Sequence, residues 1–204
     1  MLFILLSTLI LADSYPTFTQ TELKFIEKKF GKISKNRVLD YQKNINLIKT
    51  FPKSKRLSRT NFYLNQLLPQ YDGVIQKQED HWATPKEFLT IGYGDCEDYV
   101  IIKYFSLIKL GFDKNKLFIT TVREKFNGGH HMVLSYFKHS DKSPLILDNL
   151  SFKILNLKIR EDLHAELFIN ETGVYKFNDK NILLKIANHS AEYRELIKRI
   201  KREN

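Results

Sequence analysis

The one cysteine of the chain, Cys96, lies among three carboxylates in residues 92–100, GYGDCEDYV. The thiolate is the reactive form of cysteine, and the negative charges of Asp95, Glu97 and Asp98 should raise the pKa of the thiol and suppress that form. Cys96 is therefore either an inert packed side chain or a nucleophile whose electrostatic surroundings are corrected by another group.

Nucleophilic catalysis by cysteine also requires an imidazole within reach and a third group that orients the imidazole. Asp95 favours a helix start, which would place Cys96 in a first turn, where backbone N–H groups and the helix dipole stabilise a thiolate. His131 opens a predicted strand, and Asp148 lies on the next strand across a short turn. Each residue alone has an ordinary structural explanation, but the order of the three along these elements predicts a catalytic triad.

The first half of the chain has the apolar spacing of helices. This spacing predicts two amphipathic helices between residues 21 and 51, separated near Gly31, and a short helix over residues 61–68. Two further helices are predicted to start at Thr84 and at Cys96. The helix that carries Cys96 is apolar on nearly all sides, so we expect it at the centre of the domain.

The second half of the chain is typical of strands, with β-branched and aromatic residues between turn signals. Strands are predicted over residues 117–124, 131–137, 144–150, 165–170 and 174–177. The order of elements predicts an α+β fold in which the buried Cys96 helix packs on an antiparallel sheet that carries His131 and Asp148. We expect a helical N-terminal part over about 20–80, a catalytic core over about 81–180 and a C-terminal helix over 188–203.

The N-terminal residues indicate export. An apolar run over residues 2–11 ends at Ala12, which resembles a secretory signal with a small residue at its cleavage site. A buried N-terminal element is the alternative, and a membrane anchor is disfavoured because spanning takes about 20 apolar residues. We expect a signal peptide over residues 1–12 and one domain over residues 13–204.

Charge and cysteine content narrow the possible partners. The net charge of +10 would suggest nucleic acid for a cytoplasmic protein, but the predicted export argues against it. An acidic protein or an anionic surface fits this charge better. Because an exported protein normally pairs its cysteines, the single Cys96 is either buried or reactive.

Four segments together resemble those of the bacterial transglutaminase-like cysteine proteinases, and within them the LapG type of periplasmic adhesin-releasing protease. They are WATPKEFL from residue 82, GYGDCEDY from residue 92, HMVLSY from residue 131 and LDNL from residue 147. The resemblance implies a papain-like, transglutaminase-like core. It also implies that Cys96 is the nucleophile, His131 the general base and acid, and Asp148 the group that orients His131.

The resemblance further implies calcium dependence, with Asp95 and Glu97 as metal ligands. Ca²⁺ prefers oxygen ligands, and a dication here would offset the negative charge around Cys96. Two carboxylates do not fill a calcium shell, so backbone carbonyls or water would complete it. The alternative is that these acids only cap the helix and interact with its dipole.

By resemblance, the expected function is that of a periplasmic endopeptidase that forms a thioester acyl-enzyme. Its substrate would be a large repetitive cell-surface adhesin, cut near its N-terminus so that the cell leaves a biofilm. An inner-membrane receptor for cyclic di-GMP would act as the inhibitor, and neither nucleic acid binding nor a membrane span after processing is expected. The alternatives are a transglutaminase, a peptidoglycan amidase and a non-catalytic calcium-binding interaction module.

Overall fold

The structure is a computed structural model that describes residues 14–69, 81–126 and 128–203 of the 204-residue chain. The predicted signal peptide at residues 1–12 lies outside the described residues, as does the end of the predicted helical part at residues 70–80. Within the described ranges, no helix is both long enough and apolar enough to cross a membrane.

Helices dominate the first half of the chain, as predicted. In the described ranges the α-helices are α1 (Gln20–Phe30), α2 (Lys32–Thr50), α3 (Lys53–Leu64), α4 (Pro85–Ile91), α5 (Cys96–Lys109) and α6 (Ala191–Arg202). The break near Gly31 is confirmed, and its φ of +89° ends α1 in a region that favours glycine. The short helix predicted over 61–68 is wrong in its bounds, because α3 starts eight residues earlier, directly after Pro52.

The second half forms a seven-stranded antiparallel sheet. In the part of the chain that the structure describes, the strands are β1 (Leu68–Pro69), β2 (Tyr93–Gly94), β3 (Leu117–Glu124), β4 (His130–Tyr136), β5 (Leu145–Leu147), β6 (Leu155–Asn156), β7 (Leu163–Asn170), β8 (Gly173–Phe177) and β9 (Leu183–Ala187). Their order in the large sheet is β6-β5-β4-β3-β7-β8-β9, and β1 pairs with β2 in a separate parallel pair. Helices followed by an antiparallel sheet confirm the predicted α+β class.

Helix α5 lies at the centre of the main hydrophobic core. Its residues from Glu97 to Ile108 are all buried, and it packs against β3 and β4. Leu117, Ile119 and Leu134 belong to the same core cluster on the facing side of the sheet. The position of α5 is therefore fixed on almost every side, and so is Cys96, its first residue.

Side chains of α2 and α3, together with Asn65 just after α3, donate hydrogen bonds to backbone carbonyls of the rest of the molecule. Arginine and asparagine both serve this purpose, and the acceptors lie at helix ends and in the loop after β5. The bonds join Arg37 to the Leu89 and Thr90 carbonyls (3.1 and 2.9 Å), Arg56 to that of Leu110 (2.8 Å), Asn61 to that of Ser151 (2.9 Å), and Asn65 to those of Asp148 and Ser151 (2.7 and 3.0 Å). The N-terminal helices thus hold the ends of α4 and α5 and the Asp148 loop in place.

The segment that precedes α4 is hydrogen-bonded both to Glu203 and to α5. Thr84 Oγ1 and the hydroxyl of Tyr15 both donate to the carboxylate of Glu203, at 2.6 and 2.5 Å. The backbone N–H of Ala83 donates to Asp98 Oδ1 of α5 at 2.8 Å. Both ends of the described chain therefore meet beside the first turn of the Cys96 helix.

Candidate active site

His131 and Asp148 lie side by side at one end of the sheet. The pairing of Leu134 with Leu147 sets the register of β4 and β5. The prediction that Asp148 lies on this strand is wrong, because β5 ends at Leu147 and Asp148 directly follows it. His131 Nε2 and Asp148 Oδ1 are 2.9 Å apart, and the two side chains are only 7% and 1% exposed. With Nε2–H donating to the carboxylate, Nδ1 is the ring nitrogen left to accept a proton.

Both carboxylate oxygens of Asp148 and its backbone carbonyl accept hydrogen bonds. Oδ1 also accepts from the Leu150 N–H at 2.9 Å, Oδ2 accepts from Arg160 Nη2 at 2.9 Å, and the carbonyl accepts from Asn65. Burial alone would raise the pKa of Asp148, but the hydrogen bond and charge of His131, with those of Leu150 and Arg160, hold it well below its usual range. Asp148 is therefore a fixed, ionised carboxylate at neutral pH.

Cys96 begins α5 and is half-buried. Its thiol donates a hydrogen bond to Glu97 Oε2 at 3.2 Å. The backbone N–H of Met132, the residue after His131, is near enough to lower the pKa of the thiol. Burial, followed by the charge and hydrogen bond of Glu97 and the charge of Asp95, raises the pKa of the thiol well above its usual range, while the Met132 N–H acts in the opposite direction. The structure thus brings Cys96 to the strand that carries His131, in surroundings that favour the protonated thiol.

The neighbouring histidine, His130, occupies a different position. Its side chain is 75% exposed, whereas that of His131 is 7% exposed, as alternation along β4 predicts. His130 Nδ1 lies 3.9 Å from Glu166 Oε2 of β7. His131 is therefore the histidine of this pair that can act with Asp148.

Asp95 and Glu97 flank the thiol as the sequence predicts. Asp95 occupies the N-cap position of α5 but makes no capping hydrogen bond, and Glu97 is 7% exposed. Glu97 forms no ion pair with a Lys or Arg among the described residues, and it accepts a hydrogen bond from the Cys96 thiol. Because a buried carboxylate is stabilised by a positive charge, and Ca²⁺ prefers oxygen ligands, the Glu97 carboxylate suits a hard cation. The described residues contain no group of three or more His, Cys, Asp or Glu that could hold a metal, so other oxygens would have to complete a calcium shell.

Two cationic side chains near Asp148, Arg160 and Lys103, are not among the predicted site residues. Arg160 comes just before β7 and bonds to both Asp148 and Asp162. Lys103 is fully buried in α5, and its Nζ has no hydrogen-bond partner among the described residues. Burial lowers the pKa of Lys103 to about 7, against the opposite effect of Asp148. Lys103 follows Cys96 by seven residues, so helical spacing alone would have placed both on one face of α5.

Gly94, two residues before Cys96, has no room for a side chain. A Cβ atom there would lie 2.4 Å from Asp98 Oδ2 and 2.9 Å from the ring of Phe88. We expect Gly94→Ala to lower the free energy of unfolding in urea by about 1 to 3 kcal/mol, since both neighbours are buried and must shift.

A matched control for this substitution is Gly31→Ala. No atom lies within 4 Å of a Cβ at Gly31, although its positive φ adds some backbone strain. The predicted steric clash at Gly94 would be contradicted if Gly94→Ala unfolded at the same urea concentration as the unaltered protein.

A buried helix with a cysteine in its first turn packs on an antiparallel sheet, and a hydrogen-bonded His–Asp pair lies at one end of that sheet. These are the groups that nucleophilic catalysis by cysteine requires. The family profile of the bacterial transglutaminase-like cysteine proteinases (BTLCP) matches residues 24–161. This match spans more than half of the chain, and the chain belongs to that family.

Solved structures of LapG from Legionella pneumophila share this fold. The calcium-bound form has 30% identity and a TM-score of 0.74, and the match covers 87% of this chain and 98% of that chain. The EGTA-treated form has the same identity and TM-score, with 87% and 97% covered. A third LapG structure has 29% identity, a TM-score of 0.75, and 91% and 97% covered. No curated protein sequence matches the chain significantly.

Proposed function

We propose that this LapG-like protease is a periplasmic, calcium-dependent endopeptidase that cuts a large repetitive cell-surface adhesin near its N-terminus. Release of the adhesin would let the cell leave a biofilm. The observation that carries the proposal is the buried hydrogen bond between His131 and Asp148, next to Met132, whose N–H lowers the pKa of the Cys96 thiol. The likeness to LapG supports the choice of substrate class.

In the proposed reaction His131 Nδ1 takes the proton of the Cys96 thiol, and the thiolate attacks the carbonyl carbon of the scissile peptide bond. The C–N bond breaks, the amine leaves with the proton from His131, and a thioester remains on Cys96. Water then attacks the thioester carbonyl and gives one proton to His131. The C–S bond breaks, His131 returns that proton to the Cys96 sulfur, and the carboxylic acid product leaves and ionises in the solvent. Asp148 keeps the imidazole in the tautomer that these transfers require.

Asp95 and Glu97 would hold the calcium ion, and the chemistry it supplies is positive charge beside the thiol. The surroundings of Cys96 call for such charge, because burial and the two acids raise the pKa of the thiol. We therefore propose that these acids regulate the nucleophile through the bound cation.

The proposal places the protein in the periplasm, after removal of residues 1–12, with an inner-membrane cyclic di-GMP receptor as its inhibitor. The apolar run at the N-terminus supports export, and the family resemblance supports the receptor. The net charge of +10 would favour acidic surfaces on both substrate and receptor.

The test is cleavage of a defined substrate by the chain from residue 13 onwards. The probe is an N-terminal fragment of the largest repetitive surface protein encoded in the same genome, incubated with calcium or with EGTA. We expect calcium to permit a single cut, seen as a new N-terminus by mass spectrometry, and EGTA to prevent it.

The Cys96→Ala variant serves as the control for contaminating proteases. Isopeptide cross-links without new N-termini would show that the protein is a transglutaminase instead of a protease. Equal cleavage in EGTA would refute the calcium dependence, and an intact fragment with calcium present would refute the adhesin as substrate.

A further inference from the structure

Both oxygens of the Asp148 carboxylate accept hydrogen bonds, not only the oxygen that faces His131. Oδ1 receives the His131 and Leu150 hydrogen bonds, and Oδ2 receives Arg160 Nη2 at 2.9 Å. Asp148 is 1% exposed and the Arg160 side chain 12% exposed, so water competes little for this ion pair. The two carboxylate oxygens are thus hydrogen-bonded to different side chains, Oδ1 to His131 and Oδ2 to Arg160.

Arg160 is in turn fixed by a second carboxylate. Its Nε donates to both oxygens of Asp162, at 2.9 and 3.1 Å, and its Nη2 donates to Asp162 Oδ2 at 2.7 Å. A guanidinium is planar, and two edge contacts to one carboxylate define the orientation of that plane. Nη2 is therefore aimed at Asp148 Oδ2 by a partner that does not itself touch His131.

We propose that Arg160, held by Asp162, is a positioning residue for the protease reaction because it locks the rotation of the Asp148 carboxylate. A carboxylate bound only through Oδ1 can turn about its Cβ–Cγ bond and exchange its oxygens. With Oδ2 held, Oδ1 stays in line with His131 Nε2, and Nδ1 stays available for the thiol proton. The inference rests on the proposed roles of Cys96, His131 and Asp148.

The same contact makes the ionisation of Asp148 depend on Arg160. The groups that face the carboxylate come from several elements, and only one of them carries negative charge. They are His131 of β4, the Leu150 N–H, Arg160, Lys103 of α5 and, behind Arg160, Asp162. Loss of Arg160 removes one of the causes that hold the pKa of Asp148 low, so protonation of Asp148 would begin at higher pH.

The first test needs no substrate. The imidazole nitrogens of His131 are observed by heteronuclear NMR, with the signals assigned from the His131→Gln spectrum. We expect one neutral tautomer, protonated at Nε2, in the unaltered protein and a mixture of tautomers in Arg160→Ala. An unchanged tautomer in Arg160→Ala would overturn the inference, whether or not the adhesin fragment is a substrate.

The second test measures cleavage of the adhesin fragment at saturating calcium. We expect Arg160→Ala to lower kcat by about 10- to 100-fold with little change in KM, which is the usual effect of losing a residue that orients a catalytic group. The acidic limb of the pH profile should move to higher pH, and added guanidinium should restore part of the rate. Equal kcat and an equal pH profile would overturn the inference.

Two variants separate positioning from folding. Arg160→Lys keeps the charge but lacks the planar fork, so we expect an intermediate kcat, and thermal unfolding measures the folded fraction of each variant. Arg123→Ala is the matched control, because Arg123 pairs with Glu166 on the same sheet at 3.0 Å but is 47% exposed. If Arg160→Lys lost activity only in proportion to its unfolded fraction, Arg160 would be a structural residue alone.

Discussion

Cys96→Ala is expected to abolish cleavage of the adhesin fragment, with kcat/KM at least about 10³-fold lower. His131→Ala should cause a loss of the same order, because the thiol would then have no base to accept its proton. Since the two groups act as a unit, we expect the double variant to be no worse than either single variant. Initial rates at saturating calcium measure all three.

The matched control for this prediction is His130→Ala. His130 is the sequence neighbour of His131, but its side chain is exposed and lies next to Glu166 instead of Asp148. We expect its rate to stay within about twofold of the unaltered protein. A Cys96→Ala protein that retained a tenth of the activity would remove Cys96 from the mechanism.

Glu97→Gln is expected to separate two effects of Glu97, which are the raised pKa of the Cys96 thiol and the proposed binding of calcium. The Glu97 carboxylate accepts the thiol hydrogen bond and, after burial, is the largest cause of the raised pKa of Cys96. The neutral amide should therefore lower that pKa, and each unit of decrease raises the thiolate fraction about tenfold below the pKa. We expect faster alkylation of Cys96 by iodoacetamide at pH 7 in EGTA, measured by mass spectrometry.

The same substitution should weaken the response to calcium. We expect the calcium concentration for half-maximal cleavage to rise by at least about tenfold, since a ligand carboxylate is lost. Glu192→Gln is the control, because Glu192 is also an acid in the first turn of a helix but belongs to α6. An unchanged calcium midpoint in Glu97→Gln would remove Glu97 from the metal site, whatever the alkylation rate.

The sequence predicts the parts of the site that depend on local signals. The helix start at Cys96, a strand predicted from His131 and observed from His130, and the short turn before β5 follow from capping, alternation and turn residues. Residue spacing across this turn is enough to predict that His131 and Asp148 approach each other, and they are hydrogen-bonded. The acids around Cys96 are equally visible in the sequence.

Arg160 shows what local signals cannot provide. It lies twelve residues after Asp148, separated by β6 and a 3-10 turn, so no periodicity links the two side chains. Lys103 is concealed for another reason, because a lysine in a long helix is normally exposed, whereas this one has no exposed surface. Both positions follow from tertiary packing around the Asp148 carboxylate.

The errors in the fold have similar causes. The sequence predicts α3 too late because its first turn is polar, KSKR, and its buried apolar residues are Leu57 and Leu64. It does not predict β9, because this strand lies at the edge of the sheet with Leu184 and Ile186 half exposed, so the pattern lacks a buried side.

The hydrogen bonds from α2, α3 and Asn65 tie the N-terminal helices to the elements around Cys96 and Asp148. The carbonyls at the ends of α4 and α5 find their partners in Arg37 and Arg56. The Asp148 loop finds its partners in Asn61 and Asn65. If the N-terminal helices were removed, these carbonyl acceptors would lose their protein partners and would be exposed to water. Helix α3 and Asn65, which include none of the predicted site residues, thus help to fix the conformation of the Asp148 loop.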